Sequence, residues 1–253
     1  MSISPIFFAV LLSASFALPQ TAVASLPPQA TLPIVFTKTV GADRAKVGNI
    51  VHAKTMQVAR LANGDVIPAG TEVIGHVAAA TGFAYDKTPY EKQKESVLAI
   101  RFDSVRVAGR DIALTVTVRA MADPLTSWGA REPKSSDLDS LGTVTQIGGD
   151  QLIPSQDEVV DHNGDVVAYN RRNGVYAHLI ARAGCDGGST EVSVGIYSAS
   201  ACGLYGFTDV SARELGSVAS PSTLSLVSTR TSPKVWRNST ALLEVLPQDG
   251  EAR

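Results

Sequence analysis

Three features of the sequence predict an all-β fold. Apolar residues recur with period two wherever a run is long enough to measure, and Gly, Thr, Ser and Val are plentiful while aromatics are sparse. Short turn signals such as Asn63-Gly64, Pro68-Ala69-Gly70 and Ala108-Gly109-Arg110 punctuate the runs. Together they predict a small barrel or sandwich over residues 30–120, a linker or long loop over 121–141, and a second, disulfide-linked β-unit over 142–247, with little helix.

The clearest strand has Ile112, Leu114, Val116, Val118 and Ala120 on one face and Ala113, Thr115, Thr117 and Arg119 on the other. In the preceding run, Leu98, Ile100 and Phe102 are in one phase and Val105 and Val107 in the opposite one. The inversion predicts one extra residue near Asp103-Ser104, a β-bulge. Ala108-Gly109-Arg110 joins the two runs as a hairpin. Gly82 to Glu95 mixes charges of both signs and reads as a solvated loop.

The stretch from Asn63 to Val77 organises the first unit. Asn63-Gly64 supplies residues tolerant of positive φ, and Pro68-Ala69-Gly70 supplies a second turn, so Val66-Ile67 is left as a two-residue strand before Val73–Val77. The order Ile67, Pro68, Gly70, Thr71, Gly75 resembles a motif in the pore-forming β-barrel component of type IV secretion and conjugation machines. Gly48–Ala53 is similar to the strand before that motif, and Leu32-Pro33-Ile34 to the family's opening. The resemblance spans roughly residues 30–80. It implies a barrel with Pro68, Gly70 and Gly75 as structural corners. The family's pore also needs a ring of many copies and a membrane-crossing insertion. No amphipathic or apolar helical segment after residue 80 offers one, so the expectation is the fold without the pore.

Residues 1–24 carry no charged side chain. Ile6-Phe7-Phe8-Ala9-Val10-Leu11-Leu12 is too short to span a bilayer, and Ala22-Val23-Ala24 has the small-x-small pattern of a signal-peptidase site. The expectation is a secretory signal peptide cleaved before Ser25, hence a periplasmic or secreted protein; an uncleaved anchor is the alternative. No later run predicts a transmembrane segment.

Charge is uneven. Residues 25–120 hold 12 Lys/Arg and 8 Asp/Glu, whereas residues 121–165 hold 2 and 9. A whole-chain charge of −2 without a dense basic block argues against a nucleic-acid partner. Asp161-His162-Asn163-Gly164-Asp165 is read either as a cation loop or as a hairpin turn at Asn163-Gly164. The Gly falls too early for an EF-hand and the closing Glu is missing, which favours the turn.

Cys185 and Cys202 are the only cysteines, and behind a signal peptide they read as a disulfide. The alternative makes Cys202 a nucleophile with His178 as base. Four histidines, at 52, 76, 162 and 178, show no metal-ligand spacing, so no metal or cofactor is expected. Ser198 and Ser200 lack a G-x-S-x-G frame. Asp157, Glu158 and Asp161 offer carboxylates whose separation a sequence cannot give. Gly148-Gly149-Asp150 and the aromatics Tyr205 and Phe207 suit either a ligand groove or tight corners and core. Ser211-Ala212-Arg213-Glu214 has the form of a capping box that would open a short helix before Gly216. Asn238-Ser239-Thr240 is a glycosylation sequon.

The functional expectation is an exported cell-envelope protein with a structural or assembly role, non-enzymatic, its partners other envelope proteins. The alternative is a module for glycan or peptidoglycan, binding in a groove lined by Tyr169, Tyr176, Tyr205 and Phe207. A hydrolase using the acidic segment, or Ser200 with His178, ranks third.

Overall fold

The computed structural model describes residues 25–28, 30–131, 144, 145, 147, 148, 150–153, 156–160, 163–171, 175, 176, 197–199 and 201–247. Nine strands precede the only α-helix among them: β1 (Thr31–Phe36), β2 (Val40–Gly41), β3 (Ile50–Thr55), β4 (Ala59–Arg60), β5 (Val66–Ile67), β6 (Glu72–Thr81), β7 (Ser96–Val107), β8 (Arg110–Ala113) and β9 (Val116–Ala122). Helix α1 (Pro124–Gly129) follows, then β10 (Val144–Thr145), β11 (Gln151–Leu152), β12 (Glu158–Val160), β13 (Val166–Arg171) and β14 (Val175–Tyr176). The chain ends with β15 (Gly203–Tyr205), β16 (Ser211–Glu214), β17 (Thr223–Ser228), β18 (Lys234–Val235) and β19 (Thr240–Val245). The all-β expectation holds.

Ten strands form one sheet in the order β15-β9-β19-β1-β3-β6-β7-β17-β16, with β8 on β7, and this sheet curls into a nearly closed barrel. Its seam lies where β9 meets the chain between β16 and β17. There the Val118 N–H donates to the Leu215 carbonyl at 2.6 Å, and the Ser222 N–H to the Val116 carbonyl at 2.7 Å. The interior is filled by residues from both halves of the chain, including Ile34, Phe36, Ile100, Phe102, Leu224 and Leu243. At roughly 1.5–3 kcal/mol for each large apolar side chain removed from water, this core is the main source of stability.

The division at 121–141 does not separate two sheets. β9 runs through Ala122 and α1 occupies residues 124–129, while β15, β16, β17 and β19 return to the sheet begun by β1. One partner of β1, β19, and one partner of β7, β17, lie more than a hundred residues downstream, and pairing at that distance leaves no local pattern. Residues 211–214 form β16 rather than a helix: the Ser211 and Ala212 pairings to Val227 and Leu226 override the local capping signature.

Bulges set the curvature. Gly75 opposes Phe102 while Ile74 opposes Ser104, so Asp103 is the extra residue predicted in β7 and both of its phases face the core. A Cβ on Gly75 would overlap the Arg101 carbonyl oxygen, which explains the glycine at this close crossing. A second bulge, at Arg119, was not predicted. Leu242 opposes Ala120 and Leu243 opposes Val118, so Val116 and Val118 face the barrel core while Ala120 faces outward. The expected face that ran from Ile112 to Ala120 therefore switches sides at its last member.

That outward face carries a second core. Ala120, Ala122 and Leu242 pack against Ile147, Leu152, Val159, Val167 and Tyr197, most of them from the five-stranded sheet β10-β11-β12-β13-β14 and its surroundings. β19 is covered on both faces, and its sequence is accordingly an almost unbroken buried run. Arg119, turned outward by its bulge, donates to Glu244 at 2.9 Å and to the Ala201 carbonyl at 3.0 Å, which ties the second core to the barrel wall.

Candidate functional site

Helix α1 follows directly from β9. Asp123 caps it by accepting from the Thr126 N–H at 2.8 Å, and Pro124 stands in the first turn, where its missing N–H costs nothing. Ser127 is the buried residue of the helix. Its hydroxyl meets the Thr240 hydroxyl at 2.9 Å and donates to the Ala122 carbonyl at 3.3 Å, anchoring the helix where β9 and β19 meet. Tyr197 completes the anchor by donating to the Thr240 carbonyl at 3.0 Å. Full burial pushes the Tyr197 phenol far above its ordinary range, so it remains a neutral donor.

With its small polar residue turned inward, α1 turns its large apolar ones outward. Leu125 is 75% exposed and Trp128 60%. This inverts the usual pattern of a short surface helix, which buries its apolar stripe. Across from the helix stands the tight turn from Trp236 to Ser239, closed by the Ser239 N–H donating to the Trp236 carbonyl at 3.0 Å. Asn238 takes the left-handed conformation at φ 70°. Trp236 is 48% exposed, and the Lys234 ammonium sits 4.6 Å from its ring centroid. Between helix and turn lies an open groove of about 390 Å³, lined by Pro124, Leu125, Ser127, Trp128, Arg131 and Asn238. Trp128 thus lines the groove directly, while Trp236 begins the turn whose Asn238 forms the opposite wall.

The aromatic residues expected to line a groove are dispersed. Tyr205 leans on the second core and its hydroxyl accepts from the Cys202 N–H at 3.3 Å, whereas Phe207 leans on the barrel core. Tyr169 is 42% exposed on β13, and the side chain of Tyr176 lies outside the described residues. Gly148 is a tight corner, because a Cβ there would overlap Ser198 and Ala201, and Asp150 is buried where it accepts from the Ala199 N–H at 2.5 Å. Neither residue lines the groove beside α1.

The catalytic alternatives are not assembled among the described residues. Ser200, His178, Cys185, Asp161 and the signal-peptide segment lie outside them, as do residues 132–141. Asp157 and Glu158 are exposed, with Glu158 opposite Tyr169. His76 lies 2.8 Å from Asp103 and His52 3.4 Å from Glu72, two separate pairs at partly exposed strand positions. Among the described residues no group of three or more His, Cys, Asp or Glu could hold a metal ion. Asn163-Gly164 is the turn between β12 and β13, with Gly164 at φ 83°.

The stretch from Asn63 to Gly75 forms tight turns. β4 and β5 pair across Asn63-Gly64, Gly70 takes φ 84°, and Thr55 donates to the Pro68 carbonyl at 2.8 Å. In the sequon, Ser239 and Thr240 are buried and Thr240 is committed to Ser127 and Tyr197. No helix among the described residues is long and apolar enough to cross a membrane. No family model, curated protein or solved structure matches this chain.

Proposed function

We propose that this chain is an exported, non-enzymatic module of the cell envelope that binds glycan through the groove between α1 and the Trp236–Ser239 turn. One observation carries the reading: Trp128 stands exposed in an open groove whose polar lining is Ser127, Arg131 and Asn238, and Trp236, also exposed, begins the turn that bears Asn238. An exposed indole is an amphipathic platform on which a sugar ring can lie, and an open groove suits a chain better than a small enclosed molecule. Export is supported by the uncharged apolar segment and the Ala22-Val23-Ala24 pattern, and it carries with it the pairing of Cys202 with Cys185.

The test is sedimentation with insoluble cell-wall polymer. The protein should co-sediment, and Trp128→Ala should reduce the bound fraction several-fold without changing the circular dichroism spectrum. Equal retention of the Trp128→Ala and native proteins would remove this groove from the reading and leave the assembly role, with another envelope protein as partner, in its place. Kinship with the secretion-pore family is a separate proposal resting on the Ile67–Gly75 corner. A native mass corresponding to a large ring would extend that kinship to pore assembly, and a monomer or small oligomer would confine it to the fold.

A further inference from the structure

The groove does not end at Asn238. The turn that bears Trp236 and Asn238 is fastened to the β1–β2 connection, because the Arg237 N–H donates to the Thr39 hydroxyl at 2.9 Å. β18 pairs with β2, Lys234 opposite Gly41 and Val235 opposite Val40, which brings residues 37–49 and 230–238 onto one end of the barrel. Those two segments hold Lys38, Arg44, Lys46, Arg230, Lys234 and Arg237 against a single carboxylate, Asp43. Asp43 is already shared, 3.7 Å from Arg44 and 4.0 Å from Lys234, and Arg230 pairs with Asp209 at 3.0 Å.

Lys38, Lys46 and Arg237 are exposed and make no ion pair among the described residues. Elsewhere on the barrel Arg106 faces Asp111 and Glu72, Arg119 faces Glu244, and Arg213 faces Glu95. A protein of net charge −2 repels a polyanion as a whole, so an anion can be held only by a local excess such as this one. The excess lies beside the tryptophans: Arg237 is the next residue after Trp236, and Arg131 lines the groove from the helix side.

We infer that the ligand of this face is an acidic glycan, with a sugar ring on Trp128 and its carboxylate or phosphate groups met by Arg237, Lys38 and Arg131. The inference rests on the glycan reading above and adds the charge class. Guanidinium groups suit both anions, since their planar forks match carboxylate and phosphate oxygens alike. Opposite charge also draws a long acidic chain to the rim before any ring stacks, which makes capture sensitive to salt.

The experiment is an intrinsic-fluorescence titration of the full chain, because Trp128 lines the groove being tested and Trp236 precedes Arg237 in the chain. The probes are alginate oligomers for carboxylate, poly(glycerol phosphate) for phosphate, neutral dextran, and vesicles of phosphatidylglycerol. At least one acidic polymer should bind about tenfold tighter than dextran, and raising the salt from about 0.05 to 0.5 M should remove most of that advantage. Which polymer wins identifies the anion. The paired variants Arg237→Glu and Lys38→Glu, checked for an unchanged melting curve, should lose the advantage and bind both polymer classes alike. Dextran bound as tightly as the acidic polymers, with no effect of Arg237→Glu, would overturn the charge class and leave the glycan reading standing. Binding of phosphatidylglycerol vesicles but of no polymer would overturn both in favour of a membrane surface, and no binding of any probe would overturn both outright.

Discussion

Ser222 and Val116 lock the barrel seam by bonding each other twice: the Ser222 N–H donates to the Val116 carbonyl at 2.7 Å, and the Val116 N–H donates to the Ser222 hydroxyl at 3.2 Å. The same hydroxyl donates to the Leu114 carbonyl at 2.7 Å, and the Ser222 carbonyl accepts from the Phe102 N–H at 2.9 Å. Here β8 leaves β7, β9 departs toward β19, and β17 enters the gap. A strand fork leaves backbone groups without sheet partners, and one serine supplies four of the replacements.

Ser222→Ala should therefore destabilise the protein by about 1–3 kcal/mol, because it strips a buried N–H and a buried carbonyl of their partner. Ser222 also holds φ 62°, which a glycine adopts without strain. Ser222→Gly should accordingly cost less than Ser222→Ala. Urea unfolding monitored by circular dichroism measures both, and two variants as stable as the native protein would show that the fork is satisfied by something other than the hydroxyl.

Gly70 and Gly75 belong to one corner but should respond differently. A Cβ on Gly70 meets nothing within 4 Å, so Gly70→Ala pays only for its positive φ, about 1 kcal/mol. At Gly75 the Cβ would overlap the Arg101 carbonyl in the neighbouring strand, and backbone cannot step aside as a flexible side chain can. Gly75→Ala should cost about 2 kcal/mol or more as β6 and β7 are forced apart. The reverse order of melting temperatures would contradict the register at this bulge.

Asp86 organises the Gly82–Glu95 loop, which is more ordered than its mixed charge suggested. Its carboxylate accepts from the Thr88 hydroxyl and from the Thr88 N–H at 2.8 Å, while the buried Gln93 amide donates to the Asp86 and Thr88 carbonyls. The side-chain bond from Thr88 is the largest influence holding the Asp86 pKa below its ordinary value of 3.8, and the backbone bond adds to it. A depressed carboxylate pKa stabilises the folded loop above that ordinary value, and the contribution is lost as pH falls through the folded pKa. Thr88→Val should move the Asp86 titration upward in carboxyl-detected NMR; an unmoved midpoint would count against the hydroxyl bond.

Legibility in the sequence followed the contrast between neighbours. The bulge at Asp103 was readable because large apolar residues stand on both sides of it in opposite phases, whereas the bulge at Arg119 was hidden because Ala120 suits either face. The corner from Asn63 to Gly75 was readable because Gly and Pro act locally. The return of residues 203–245 to the first sheet depends on partners far away in sequence. The groove was missed for another reason: α1 has six residues, too few to show a period, and an exposed Trp128 looks the same in sequence as a buried one. The cue that was available is Asp123-Pro124, a cap followed by proline, with Trp128 and the Trp236 turn left unassigned to any strand face.

The proposed pairing of Cys185 with Cys202 is open to direct measurement. Cys202 is 8% exposed and stands immediately before β15, which is held on β9 by three parallel pairings from Gly203 to Tyr205. A covalent link from that point would anchor the segment between β14 and β15 to a strand that the barrel already fixes. Closing a loop of this length stabilises by about 3 kcal/mol in the chain-entropy model, less any strain. Protein isolated from the envelope should gain no mass with iodoacetamide until it is reduced, and then gain two carbamidomethyl groups. Reduction should lower the unfolding midpoint, and Cys185→Ser should reproduce that shift in oxidised protein. Two thiols that react before reduction would remove the link and, with it, one of the supports for export; a Cys185→Ser protein as stable as the native one would show that the pairings of β15 hold the segment without it.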